Sequence, residues 1–288
     1  MGKLHNIPTT HRMIQKTQAT HRKSKLINPS ESQRHIPNKF KPKPITEYNK
    51  YIISTSLGKD STALSLWALQ NLPREKLEFI YTDTGINHPI KEYKKYIEEK
   101  LHIKITTLKS NTDLFKTSLQ LGLPNGGYRW CTERLKLWPQ EKYYKQKGYY
   151  GNTKILNLTG ERKEESTRRK QYYPFAYSKV LRTAVLRPIL EWTTHQILTY
   201  LQKNNILLHP QYRYDTRLSC ACCPEKTWKN QLQTSIHTPK LFKKLCQTER
   251  KLQRPLYPEV GYLDEAVKKY PPTIKTTNIP LSSIYGIS

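Results

Sequence analysis

Tyr51-Ile-Ile-Ser-Thr-Ser-Leu-Gly-Lys-Asp-Ser-Thr62 runs from an apolar β-branched segment, through a turn of small residues, into a stretch of helix formers. That layout makes an anion site. A strand ending near Thr55 delivers Ser56, Leu57 and Gly58 into a tight loop where backbone N–H groups and hydroxyls can close on a phosphate. The helix that follows adds unpaired N–H groups and the positive end of its dipole. Asp60 or Ser61 is the expected cap, and Ala63-Leu-Ser-Leu-Trp-Ala-Leu69 supplies the apolar residues that bury the helix. The spacing is not that of the Walker loop, which needs two glycines bracketing four residues before its lysine.

Beyond this segment, apolar runs and helical patterns alternate. Strands are expected at 51–56, 77–82, 103–108 and 154–159, with a short extended piece at 184–189. Helices are expected at 60–71, 89–101, 112–121, 133–147 and 193–204, and a polar helix or loop at 161–170. Strands separated by helices imply an α/β fold: a parallel twisted sheet with helices on both faces and ligands at the carboxyl ends of the strands. Two helical stretches, 227–236 and 238–251, form a small C-terminal segment. Residues 1–47 are polar, basic and without hydrophobic periodicity, so they read as a flexible arm. The expected division is an arm at 1–47, a nucleotide-binding domain at 48–228 and an extension at 229–288.

The chain has 288 residues, with 50 Lys and Arg against 22 Asp and Glu, a formal charge of +28. That excess is more than solubility requires and favours a polyanionic partner. Basic clusters at His21-Arg-Lys-Ser-Lys25, Lys39-Phe-Lys-Pro-Lys-Pro44 and Thr167-Arg-Arg-Lys170 point toward nucleic acid, with tyrosines such as Tyr143 and Tyr144 as stacking surfaces. No apolar run is long enough to span a bilayer and no secretory-type segment is found, so a soluble cytoplasmic protein without a membrane partner is expected. Five cysteines argue for thiols used singly or as metal ligands rather than for a disulfide scaffold.

Further segments carry chemistry. They are Tyr81-Thr-Asp-Thr-Gly85, Trp130-Cys-Thr-Glu-Arg-Leu-Lys136, Thr159-Gly-Glu-Arg-Lys-Glu-Glu-Ser166 with Arg168 and Arg169, Arg187-Pro-Ile-Leu-Glu-Trp192, and His209-Pro-Gln-Tyr212 leading to Ser219-Cys-Ala-Cys-Cys-Pro224. Asp83 ends an apolar strand, where it can contact ribose, share Mg²⁺ with Asp60, or simply start the turn at Gly85. Gly160, Arg162, Arg168 and Arg169 suggest a second anion site. Cys220 and Cys223 form a Cys-x-x-Cys pair that can present two thiolates to one metal.

Taken in order, these segments resemble the phosphoadenosine phosphosulfate (PAPS) reductase family of the PP-loop, adenine nucleotide alpha hydrolase group, over roughly residues 48–228. The resemblance implies a nucleotide site at Ser54, Ser56, Gly58, Lys59, Asp60, Ser61, Asp83, Gly160, Arg162, Arg168 and Arg169, with Lys59, Asp60 and Asp83 at the catalytic step. It implies ATP or PAPS as nucleotide, with Mg²⁺. It also implies a [4Fe-4S] cluster on Cys131, Cys220 and Cys223; zinc, with Cys222, Cys246 or His209 as fourth ligand, is the metal alternative. One departure matters: the Glu-Cys-Gly-(Leu/Ile)-His segment of the reductases proper has no counterpart, and the residues at that place read Leu281-Ser-Ser-Ile-Tyr-Gly-Ile-Ser288. The resemblance therefore favours an ATP pyrophosphatase supporting sulfur modification of DNA or tRNA, with a sulfur-donor protein such as a cysteine desulfurase. A sulfonucleotide reductase and a catalytically inactive nucleic-acid-binding subunit are the alternatives.

Overall fold

A computed structural model of the protein describes residues 36–125, 127–215 and 217–273. Its centre is β1 (Lys50–Thr55), whose alternate side chains serve opposite faces. Tyr51 and Ile53 join one core and Ile52 the other, and none is more than 1% exposed. Burial on both sides is what a near-continuous β-branched run implies for a central parallel strand.

From β1 the chain passes through α1 (Lys59–Asn71), β2 (Leu77–Asp83), α2 (Lys91–Leu101), β3 (Ile105–Lys109) and α3 (Leu114–Leu121). A long helical stretch follows, made of α4 (Trp130–Thr132), a π-helical turn at Glu133–Leu137 and α5 (Trp138–Gln146). Then come β4 (Ile155–Leu158), α6 (Thr167–Lys170), β5 (Phe175–Ser178), β6 (Thr183–Leu186) and α7 (Thr194–Lys203). The last helices are α8 (Trp228–Leu232), α9 (Thr234–His237), α10 (Pro239–Leu252) and α11 (Leu263–Lys269).

The sheet order is β3-β2-β1-β4-β6-β5, parallel throughout except for β5, which runs antiparallel to β6. Side chains of α1, α2 and α7, among them Leu64, Ile97 and Ile197, fill one face of the sheet. Tyr144 of α5 and Leu181 close the other. The expected α/β sheet with helices on both faces is thus observed. The order also fixes where a ligand goes: β2 and β3 lie to one side of β1 and β4 to the other, so a crevice opens beyond the carboxyl ends of β1 and β4.

The structure departs from expectation in several places. β5 was not anticipated, and the polar segment 161–170 is a 3₁₀ turn (Lys163–Glu165) followed by the four-residue α6. Residues 36–47, expected to belong to the flexible arm, carry two 3₁₀ turns and bury Phe40, which packs at 4.8 Å against Tyr177. The rest of that arm, including the cluster at 21–25, and the segment 281–288 lie outside the described residues. The C-terminal helices do more than connect: Leu232, Phe242, Leu245, Cys246 and Leu263 form a further core with Ile86, Leu114, Trp130 and Leu135. Among the described residues no helix is long and apolar enough to cross a membrane.

Candidate functional site

The loop after β1 is closed by hydroxyl groups. Ser61 Oγ accepts from Ser56 N at 3.1 Å and donates to Gly58 O at 3.1 Å, while Thr55 Oγ1 accepts from Leu57 N at 3.0 Å. Lys59 N, at the start of α1, donates to Tyr212 Oη at 3.0 Å. Hydroxyls suit this task because each can turn from acceptor to donor when an anion takes over the N–H groups.

The left-handed residue of this loop is Leu57, with φ of 62°, not the glycine. Its side chain is fully buried in the main core, and that burial offsets a conformation that costs a non-glycine residue about 1–2 kcal/mol. Gly58 has φ of −79° and is the N-cap residue of α1, with no side-chain cap from Asp60 or Ser61. Crowding explains it, because an added Cβ would meet Tyr212 Oη at 3.3 Å and Ser56 Oγ at 3.4 Å. Gly160, beyond β4, is tighter still. Its Cβ would stand 3.1 Å from the Asp60 carbonyl oxygen and 3.2 Å from Ser61 N, so the loops after β1 and β4 touch backbone to backbone.

Asp60 and Arg162 meet in an ion pair. The Arg162 residue is 1% exposed. Its Nε donates to Asp60 Oδ1 at 2.6 Å, and its Nη atoms reach Glu164 Oε2, Trp192 O and Thr194 Oγ1 at 2.7–3.1 Å. Asp60 Oδ2 takes Lys59 Nζ at 2.9 Å. Both carboxylate oxygens of Asp60 are thus held by cations, and Arg162, engaged with the protein on every side-chain nitrogen, braces the loop. Arg169 pairs with Glu165, Ser166 caps α6, and Arg168 is exposed. Asp83 serves its turn, accepting from Gly85 N at 2.9 Å and Asn87 Nδ2 at 3.4 Å.

A cavity of about 160 Å³ opens at the crevice. Ser54, Thr55 and Ser56 line it together with Leu218, Ser219 and Cys220, and Tyr81, Asn87, His88, Lys136 and Gln140 are among the other lining residues. Sequence reasoning missed the last five and Tyr212 as site residues. Lys136 and Tyr212 lie in quoted motifs, but only the fold shows which members of a motif face inward.

Cys220 is held to the loop after β2 by a β-bridge with Asn87, and its Sγ donates to Asn87 Oδ1 at 3.6 Å. Behind it is a buried polar knot. Lys226 Nζ donates to His88 Nε2 at 3.2 Å and pairs with Asp215 Oδ2 at 3.4 Å, while Tyr214 Oη meets His88 Nδ1 at 3.3 Å. Burial first, then the Lys226 charge and nearby His209 and His237, lowers His88 to about 3. The imidazole is therefore neutral, and an ammonium donating to Nε2 leaves the proton on Nδ1.

The cysteines are neighbours without forming a ligand set. Burial, then the charges of Cys220 and Cys223, pushes the Cys131 thiol up, so the three share one locality. Yet among the described residues no group of three His, Cys, Asp or Glu side chains is disposed to hold a metal ion. The thiols face other partners: Cys220 faces Thr84 and Asn87, and Cys223 faces Arg217 Nη2 at 3.9 Å. The suggested fourth ligands are also engaged. Cys222 is 3% exposed and donates to Leu241 O, Cys246 is buried in the C-terminal core, and both His209 nitrogens have backbone partners.

The phosphoadenosine phosphosulfate reductase domain profile matches residues 50–256, past the expected boundary at 228. An uncharacterized protein of Methanocaldococcus jannaschii is 28% identical over 201 residues, which is 67% of this chain and 40% of that protein. The chain thus spans well under half the length of that relative. Solved structures with similarity include a phosphoadenylyl-sulfate reductase from Candida auris in complex with phosphate (14% identity, 72% of this chain and 91% of that one, TM-score 0.45). A U34-tRNA thiolase from Methanococcus maripaludis with its [4Fe-4S] cluster shows 12% identity over 85% of this chain and 81% of that one, TM-score 0.42. An NH3-dependent NAD synthetase from Campylobacter jejuni shows 13% identity over 92% and 96%, TM-score 0.42. With the hydroxyl-closed loop at the switch of a parallel sheet and a profile match over most of its length, the chain belongs to the phosphoadenosine phosphosulfate reductase domain family.

Proposed function

We propose that the chain is a cytoplasmic ATP-dependent enzyme that adenylates a nucleic-acid acceptor and lets a sulfur nucleophile displace AMP. The single observation that carries this reading is the cavity lined by both Ser56 of the phosphate loop and Cys220. An acceptor oxygen attacks the α-phosphorus, the bond to the bridging oxygen of pyrophosphate breaks, and pyrophosphate leaves. Sulfide then attacks the activated centre, and AMP leaves with the acceptor oxygen. Where a donor protein such as a cysteine desulfurase supplies a persulfide instead, its terminal sulfur attacks, AMP leaves, and an external dithiol reduces the remaining S–S bond, returning the donor's cysteine thiol and becoming a disulfide.

The residues divide the work by position. The N–H groups of Ser56 to Lys59 receive phosphate oxygens, and the hydroxyls of Thr55, Ser56 and Ser61 turn to donate to them. Lys136 brings positive charge to the cavity wall, where the leaving pyrophosphate needs it. Cys220 lies where sulfur chemistry would meet the activated group. The nucleic-acid acceptor is supported by the +28 charge. An iron–sulfur cluster or zinc on Cys131, Cys220 and Cys223 is the finer part of the proposal. It would require the thiols to leave their present partners, and no step above is routed through it.

Anaerobic incubation of the full chain with ATP, nucleic acid and sulfide should yield AMP and pyrophosphate in equal amounts, with nucleic acid raising the rate; without sulfide, pyrophosphate should appear while AMP stays on the acceptor. Sulfite released from PAPS, with no pyrophosphate from ATP, would overturn the reading in favour of a sulfonucleotide reductase. Parallel metal and acid-labile sulfide analysis tests the finer part.

A further inference from the structure

The helical stretch that forms one wall of the cavity carries a second surface on its outer side. Lys136 and Gln140, four residues apart, turn inward, and Gln140 Nε2 donates to Thr82 Oγ1 at 3.2 Å. Arg134 and Trp138, also four apart, meet each other, with the half-buried Arg134 guanidinium 5.2 Å from the centre of the exposed indole ring. A π-helical turn at Glu133–Leu137 runs through this stretch, and such turns occur often at functional sites.

An indole left in water is unusual, and Trp138 is 43% exposed. Tyr128, 53% exposed, and the half-exposed Arg129 precede the same stretch. Aromatic faces and cations thus follow one another along this stretch, and Arg129 meets Glu225 at 3.7 Å. This is the composition of a stacking platform for unpaired bases, in which aromatic faces take bases and guanidinium groups take phosphates. By contrast, the basic segment 161–170 is largely tied up, with Arg162 buried and Arg169 paired to Glu165.

We infer that Trp138, Arg134, Tyr128 and Arg129 form a docking platform for single-stranded nucleic acid, from which the strand passes Lys136 into the cavity. This rests on the reading that the acceptor is a nucleic acid, and it specifies an unpaired strand and where it lies. Charge decides against a protein partner: the platform is cationic on a chain of +28. Duplex is disfavoured because paired bases offer no face to an indole.

The test uses the full chain with fluorescein-labelled single-stranded oligo-dT and oligo-U of twelve nucleotides, followed by anisotropy over a range of salt. Trp138→Ala should weaken binding five-fold or more at every salt concentration without changing the salt slope, since stacking releases no counterions. Arg134→Gln should weaken binding and make the slope shallower by about 0.7, the loss of one phosphate contact. Leu207→Ala, at an exposed residue remote in sequence, should bind like the unaltered chain. If the unaltered chain binds strands but Trp138→Ala binds them equally well, the platform is wrong and the acceptor reading stands. If the unaltered chain binds no nucleic acid, the acceptor reading fails and the platform with it. A duplex bound as tightly as the single strand, or a protein captured in place of it, would also overturn the proposal.

Discussion

Arg162 Nε lies 2.6 Å from Asp60 Oδ1, and this contact ties the N-terminus of α1 to the segment after β4 across the switch point of the sheet. The ion pair sits directly behind the phosphate loop. It holds in place the backbone contact between Gly160 and Asp60, so the shape of the loop depends on a charge pair that need not touch the nucleotide.

The two possible roles of Arg162 give opposite results on substitution. Its side chain is 2% exposed and that of Asp60 18% exposed, so Arg162→Ala leaves a mostly buried carboxylate with Lys59 as its remaining cation. Breaking a buried pair costs about 3–5 kcal/mol. Urea denaturation of Arg162→Ala should show a loss of that order. A variant of full stability but with lost nucleotide affinity would make Arg162 an anion ligand instead.

Gly160→Ala tests the backbone contact. The new methyl would lie 3.1–3.2 Å from backbone atoms of Asp60 and Ser61, which cannot rotate away as a side chain could. Either α1 shifts or the β4 loop does. We expect ATP affinity to fall ten-fold or more by calorimetry, with stability lowered by about 1–3 kcal/mol, the range for overpacking. Gly58→Ala meets only ordinary or slightly tight side-chain contacts and should lose less. Equal effects at the two positions would argue against the backbone contact.

Much of this was legible in the sequence, because β1 is a near-continuous apolar run that ends in a turn of small residues, and α2 sets Tyr93, Ile97 and Leu101 at helical spacing among charged residues. The anion loop was legible as a strand-turn-helix corner, yet the left-handed residue was not: Leu57 keeps that conformation only because the core takes its side chain. Strand β5 escaped notice since four half-buried residues have no periodicity to read. The partners of Arg162 were not legible for a related reason, since Asp60, Trp192 and Thr194 are brought to it only by the fold. The cysteine spacing revealed a possible ligand pair, but not the Asn87 bridge or Arg217 contact that turns each thiol elsewhere.

His88 makes stability depend on pH in a definite direction. In the folded chain it stays neutral down to about 3, whereas the unfolded chain takes up a proton near 6.5. Its contribution is fully present above 6.5 and is lost progressively as pH falls from 6.5 toward 3. The urea midpoint should therefore drop across that window, and His88→Gln, which cannot titrate, should show a shallower drop. Identical pH profiles for the two proteins would mean that His88 is free to protonate in the folded state.

The thiol of Cys131 offers a test of the cysteine locality that needs no substrate. Burial raises it above the usual thiol range, and the charges of Cys220 and Cys223 raise it further. Since the thiolate is the reactive form, alkylation of Cys131 by iodoacetamide, followed by mass spectrometry, should become rapid only at alkaline pH. Replacing both Cys220 and Cys223 by Ser removes the two neighbouring charges and leaves the burial. The rate profile of Cys131 should then move to lower pH while staying above that of an exposed thiol. An unchanged profile in the double variant would separate Cys131 from the pair and remove it from any shared site. A metal bound by all three would give a third pattern, with alkylation blocked at every pH until a chelator is added.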